Sequence, residues 1–184
     1  MKQNTHITVE RPVFKHRLLC LAVASAFGGV VHANPTGPVV VNGQAAFAQQ
    51  GNTLKITNSP NAIINWKSFS IGATEATRFI QQSASSAVLN RVTGIDPSVI
   101  LGTLQSNGKV FLINPSGILF GQGSRIDVAG LVASTLNMSN QDFLAGRLNF
   151  TAGSITAGGL VNRGSITTPS GGSVILVAPQ IENS

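Results

Sequence analysis

Short apolar runs broken by turn residues recur along most of the chain. Pro38 to Val41, Thr53 to Thr57, Ala62 to Trp66, Thr77 to Ile80, Ala87 to Val92, Val110 to Ile113, Ile118 to Phe120, Arg125 to Val128 and Leu131 to Ser134 are rich in β-branched or alternating apolar side chains. Gly, Pro, Asn and Ser punctuate them, and runs of this length and composition predict strands. Little room is left for helix. One turn or two is expected after Ser139-Asn140, where Gln141 to Ala145 can be capped by Ser or Asn and is stopped by Gly146.

The stretch from Gly108 to Gly123 is the most informative, because its two apolar runs are split by Asn-Pro-Ser-Gly at 114–117. Pro115 fixes φ and cannot donate to a ladder, so one continuous strand is excluded. Asn114 and Ser116 can bond the local backbone, and Gly117 accepts a positive φ. A strand, a tight turn and a second strand beginning at Ile118 follow.

Near the C-terminal end, Gly153-Ser-Ile-Thr156 is echoed eleven residues later by Gly164-Ser-Ile-Thr167, and Gly172-Ser-Val-Ile-Leu176 comes next. A returning unit with Gly and Asn corners predicts a β-solenoid with coils of roughly 20 residues or slightly more. A sandwich or meander with similar hairpins is the alternative. Asn-rich corners favour the solenoid, since Asn and Gly tolerate sharp corners and stacked Asn side chains can bond from rung to rung. Open solenoid ends expose strand edges. Residues 34–50 are placed to cap the first end, and the pattern stops in mid-course at Ile181-Glu-Asn-Ser184, as expected of a fragment of a longer protein or a truncated reading frame, with a naturally short protein as the alternative.

Composition narrows the chemistry. Lys2, Arg11, Lys15 and Arg17 precede an apolar run from Leu18 to Val31, and Val31-His-Ala33 places small residues at both outer positions. This is the pattern of a secretory leader cut between Ala33 and Asn34. The apolar run is shorter than the roughly 20 residues of a membrane span. Cleavage removes Cys20, His6, His16 and His32, and the chain has no Tyr. What remains can form no disulfide, offers no Cys or His nucleophile, and lacks the usual His/Cys metal ligands. No cofactor is called for. Four of the chain's twelve cations leave with the leader, and the remaining eight, against five acids, are scattered singly, so neither nucleic acid nor a polybasic membrane surface is an expected partner.

Four pieces in order now carry a resemblance: Asn61-Ala-Ile-Ile-Asn-Trp-Lys-Ser-Phe-Ser-Ile71, Ser86-Ala-Val-Leu-Asn-Arg-Val92, Gly108-Lys-Val-Phe-Leu-Ile-Asn-Pro-Ser-Gly-Ile118 and Ala133-Ser-Thr-Leu136. They resemble the N-terminal secretion (haemagglutination activity) domain of two-partner secretion exoproteins, the family of filamentous haemagglutinins and high-molecular-weight adhesins. The family's turn is usually Asn-Pro-Asn-Gly, and Ser116 stands in its third place here. The resemblance implies an all-β fold, a right-handed parallel β-helix with an N-terminal cap and extra-helical strands. It implies a leader at 1–33, a secretion domain over 34–150 and the start of β-helix repeats over 151–184. It also implies recognition by a dedicated outer-membrane barrel transporter after delivery by the general secretion machinery, release outside a Gram-negative cell, and contact with host cells through a downstream region.

Asn114, Pro115, Ser116, Gly117 and Ile118 are the candidate secretion motif, acting by holding two strands in register or by direct contact with the transporter, with a role in folding alone as the alternative. Asn65, Trp66, Asn90 and Arg91 end apolar runs and are candidates for transporter contacts, or for corners in the case of the asparagines, with Trp66 packing over an open solenoid face. A β-helix enzyme would need clustered or facing carboxylates. Glu75, Asp96, Asp127, Asp142 and Glu182 stand apart in sequence, so no enzyme is expected. Sugar-binding surfaces favour exposed aromatics, and with a lone Trp and no Tyr, adhesion is assigned to the downstream part rather than to this segment.

Overall fold

The structure is a computed structural model that describes residues 34–153 and 157–184. The expected leader with Ala33, and the Ser154-Ile155-Thr156 half of the eleven-residue echo, lie outside the described residues. The chain opens with two strands, β1 (Val39–Asn42) and β2 (Ala45–Gln50). The first coil holds β3 (Thr53–Asn58), β4 (Ala62–Trp66) and a bridge at Ile71. The next holds β5 (Ala76–Ile80), β6 (Ala87–Val92) and β7 (Ser98–Ile100). Then come the long β8 (Thr103–Ile113) with β9 (Ile118–Phe120), and the long β10 (Arg125–Ser134), helix α1 (Asn140–Leu144) and β11 (Leu160–Asn162). The last described coil holds β12 (Ser165–Thr167), β13 (Val174–Val177) and β14 (Ile181–Asn183).

Successive coils pair in parallel on three faces, giving the expected right-handed parallel β-helix. On the first face Thr53, Ala76, Thr103, Arg125 and Ser165 lie in register, in steps of 23, 27, 22 and 40 residues. On the second face β4 pairs with β6, β6 with the second half of β8, that with the second half of β10, and β10 with β13. The third face is β7, β9, β11 and β14. β8 and β10 each span two faces, bending at register shifts or Gly, which is why the Thr103–Lys109 segment, poor in apolar residues, is nonetheless strand.

Inward positions form columns. Leu54, Thr77, Leu104, Ile126 and Ile166 stack on the first face, and Ile64, Asn90, Leu112, Ala133 and Leu176 on the second. Nearly all are buried, and each buried Leu or Ile contributes about 1.5–3 kcal/mol. The rung-to-rung amide bond expected of stacked asparagines occurs between Asn162 Nδ2 and Asn183 Oδ1, at 2.8 Å.

β1 and β2 run antiparallel on β4 and β3, so they cover the first end of the solenoid as the sequence predicts for 34–50. Phe47 of this cap meets Trp66 edge-on at 5.6 Å. Asn34 is buried, accepting from Thr77 Oγ1 and donating to the Asn52 carbonyl.

The 40-residue step arises because the chain leaves the helix after β10. Asn137 bridges Thr151 in antiparallel fashion, and α1 lies between them. Ser139 caps α1 by accepting from Asp142 N, as expected. The Ser139 hydroxyl, the Arg147 guanidinium and Asn149 all bond the Asp142 carboxylate, holding its pKa below the usual range. Met138 and Phe143 from this excursion bury Ile63, Leu89 and Ile113, which point outward from the second face.

Candidate functional site

The Asn-Pro-Ser-Gly segment forms the corner between the second and third faces, joining β8 to β9. Ile113 ends the apolar run, Pro115 prevents its continuation, and Gly117 takes φ +123°. The turn closes through Gly117 N to the Asn114 carbonyl, at 3.1 Å. Ile118 then points inward, buried among the core residues.

Asn114 is fully buried and uses both ends of its amide. Nδ2 donates to the Asp96 carbonyl at 3.0 Å and to Ser98 Oγ at 2.9 Å, both in the preceding coil. Oδ1 accepts from Ser116 N at 3.0 Å, closing the local turn. Its backbone N–H reaches forward to the Ser134 carbonyl, at 3.0 Å. One residue thereby ties three successive coils. A buried amide with these partners is satisfied, and its removal would leave the fully buried Ser98 hydroxyl without that donor.

The next coil also seats on this corner. Gly158 N donates to the Pro115 carbonyl at 2.8 Å, and Ile118 N to the Gly159 carbonyl at 3.1 Å. A Cβ at Gly158 would stand 2.6 Å from the Ser116 carbonyl oxygen, so only glycine permits this approach. Ser116 contributes its N–H to the corner, donated to Asn114 Oδ1. The family's Asn at this place supplies the same backbone N–H.

The structure divides the other candidates by face. All four lie within strands, Asn65 and Trp66 in β4, Asn90 and Arg91 in β6. Trp66 and Asn90 face the interior, where Trp66 Nε1 donates to Asn90 Oδ1 at 2.9 Å and Asn90 Nδ2 to the Phe111 carbonyl at 3.2 Å. Asn65 and Arg91 face outward in register. Arg91 donates to Asn65 Oδ1 at 3.3 Å and to the Met138 carbonyl at 2.7 Å, pinning the start of the excursion. Partial burial lowers the pKa of its guanidinium, which stays charged at neutral pH.

The sequence pattern marks Asn114 but not its partners Asp96 and Ser98, nor Gly158, which bonds the Pro115 carbonyl. Asp96-Pro97 before a short apolar triplet is a turn signal of the same kind, and Gly158-Gly159 before Leu160 is another. Neither indicates which corner it packs against. Among the described residues no group of three His, Cys, Asp or Glu is placed to share a metal ion.

Comparison with known proteins follows the same outline. A family model described as "TPS secretion domain" matches residues 31–184. A heme/hemopexin-binding protein of Haemophilus influenzae strain Rd is 38% identical over 131 residues, covering 68% of this chain and 14% of that protein. Another Haemophilus influenzae heme/hemopexin-binding protein is 45% identical over 80 residues, covering 44% of this chain and 9% of its own length. The crystal structure of the HMW1 secretion domain from Haemophilus influenzae superposes with a TM-score of 0.80 at 42% identity, over 82% of this chain and 41% of that one. The chain thus spans a small part of the curated relatives it matches.

Proposed function

The chain belongs to the family of TPS secretion domains, which serve large two-partner secretion exoproteins exported across the outer membrane of Gram-negative bacteria, and on that premise we propose how its residues do so. Residues 1–33 act as a leader for the general secretion machinery and are cut between Ala33 and Asn34. The domain over 34–150 is then addressed to its dedicated outer-membrane transporter. Residues 151–184 begin the repeats that continue the helix. The corner at Asn114, Pro115, Ser116, Gly117 and Ile118 is the secretion motif. Asn65, Trp66, Asn90 and Arg91 support recognition indirectly, by holding the second face and the excursion in place.

The physical logic is a ratchet. The periplasm supplies no ATP, and each coil that forms outside the cell buries apolar surface on the one before it. The capped first end makes this domain a nucleus: β1 and β2 close one edge, so coils add at the other. A chain without cysteine after residue 20 forms no disulfide-closed loop that would obstruct a narrow barrel.

Haem or hemopexin binding, named for the relatives, is placed outside this segment. After residue 33 the chain carries no His, Cys or Tyr, the side chains that most often ligate haem iron. Contact with host cells is likewise assigned to a downstream region.

The observation that carries the reading is the family match over 31–184. The test is release of the chain from a Gram-negative host with and without its transporter. The wild-type chain should appear in the medium only with the transporter, and Asn114→Ala should reduce that release. Equal release without a transporter would overturn the reading.

A further inference from the structure

Over β7, β9 and β11 the outside of the third face is apolar where a solvated face is expected to be polar, and the column turns polar only at Glu182 on β14. Val99, Leu119 and Val161 lie in register on β7, β9 and β11, each between two buried neighbours, so all three point outward. They are half-buried and belong to neither apolar cluster of the described residues. In contrast, the corresponding outward column of the first face reads Lys55, Arg78, Gln105, Asp127 and Thr167. Four residues before Val99, Ile95 is 89% exposed, and Leu101, just past β7, is 39% exposed.

The Ile95 loop is held on both sides. A Cβ at Gly94 would fall 2.2 Å from the Lys67 carbonyl oxygen, so the loop presses on the preceding coil there. On the other side Asn114 Nδ2 holds the Asp96 carbonyl, and Ser98 N donates to the Gly117 carbonyl. A lone exposed aliphatic is ordinary. One that is pre-ordered beside an outward apolar column loses little entropy on docking.

Resting on the transporter reading above, we propose that Ile95 with Val99, Leu119 and Val161 forms the strip that docks in an apolar depression of the outer-membrane transporter, and that Asn114 is the positioning residue that holds Ile95 in place. The strip measures roughly 10 Å across three strands by 20 Å along 95–101, or about 200 Å². A stable dimer needs about 800 Å² on each partner, so a second copy of this chain is not held by it. A transporter that must release its cargo is served by such a brief contact. The strip adjoins the motif turn, since Leu119 follows Ile118 directly.

The test expresses the full chain in a Gram-negative host with the outer-membrane transporter whose co-expression releases the wild type. Ile95→Ser and Ile95→Ser/Leu119→Thr are compared with Arg78→Ser on the first face, and a photo-cross-linking phenylalanine derivative is placed at position 95 or 78. Expected are a tenfold or greater fall in release for both strip variants, wild-type release for Arg78→Ser, and a cross-link to the transporter from 95 alone. Release of Ile95→Ser within twofold of wild type overturns the proposal. So does a cross-link from 95 only to another copy of the chain. The single variant decides if the double variant fails to fold, because the Ile95 side chain makes little of the core. Failure of every transporter to release the wild type would instead overturn the reading on which the proposal rests.

Discussion

Replacing Asn114 by Ala tests the corner most sharply. The change deletes two donated bonds, to the Asp96 carbonyl and Ser98 Oγ, and one accepted bond from Ser116 N. Ser98 is fully buried, so its hydroxyl loses a partner that water cannot replace, at a cost of about 1–3 kcal/mol. Asp96 and Ser116 reach solvent and recover part of what they lose, leaving about 0.5–1 kcal/mol each. The sum, about 2–5 kcal/mol, corresponds to a fall in melting temperature of roughly 4–20 °C for a domain of this size. Trp66, the only tryptophan and buried under the cap, reports unfolding of the purified chain by its emission. A melting temperature within about 2 °C of wild type would show that the amide does not hold these coils together.

Three further outcomes follow from the same contacts. Ser116→Asn, which restores the family's usual residue, should leave melting unchanged within about 0.5 kcal/mol because the corner uses the backbone N–H at 116; a change in release at unchanged stability would show that the transporter reads this side chain. Gly158→Ala should destabilise by about 1–3 kcal/mol, since its Cβ meets backbone atoms rather than a movable side chain, and an unaltered thermal melt would contradict the packing described. Arg91→Met should speed amide exchange across 137–151 while leaving exchange in β8 nearly intact, because the guanidinium pins the excursion through the Met138 carbonyl; equal exchange in both chains would remove Arg91 from that role.

Much of this fold is legible in the sequence because a solenoid repeats one local rule. The runs at 62–66, 87–92 and 118–120 became β4, β6 and β9 with the same boundaries, and Ser139 with Gly146 delimited the only described helix. β7 and the first half of β8 were not anticipated. Ser98-Val-Ile and Thr103-Leu-Gln-Ser carry too few apolar residues to announce strands, and parallel neighbours in the adjacent coils supply the hydrogen bonds that fix them. The excursion left a subtler trace. Ala62-Ile-Ile-Asn-Trp and Val110-Phe-Leu-Ile are apolar without alternation, the signature of a strand covered on both sides, and Met138 and Phe143 are what covers them. The turn itself was legible from Asn114 to Gly117, but not what it packs against. Its partners come from coils about 16 to 44 residues away, and stacking order, not local pattern, brings them together.

The central claim is that residues 1–184 suffice to address a protein to a two-partner transporter. The direct measurement fuses them to a passenger that has no export signal and follows the passenger in the medium of a Gram-negative host. Release that requires both the 1–184 segment and the co-expressed transporter is the predicted result. A passenger that stays in the periplasm with the transporter present, although the unfused chain is released beside it, would contradict the account.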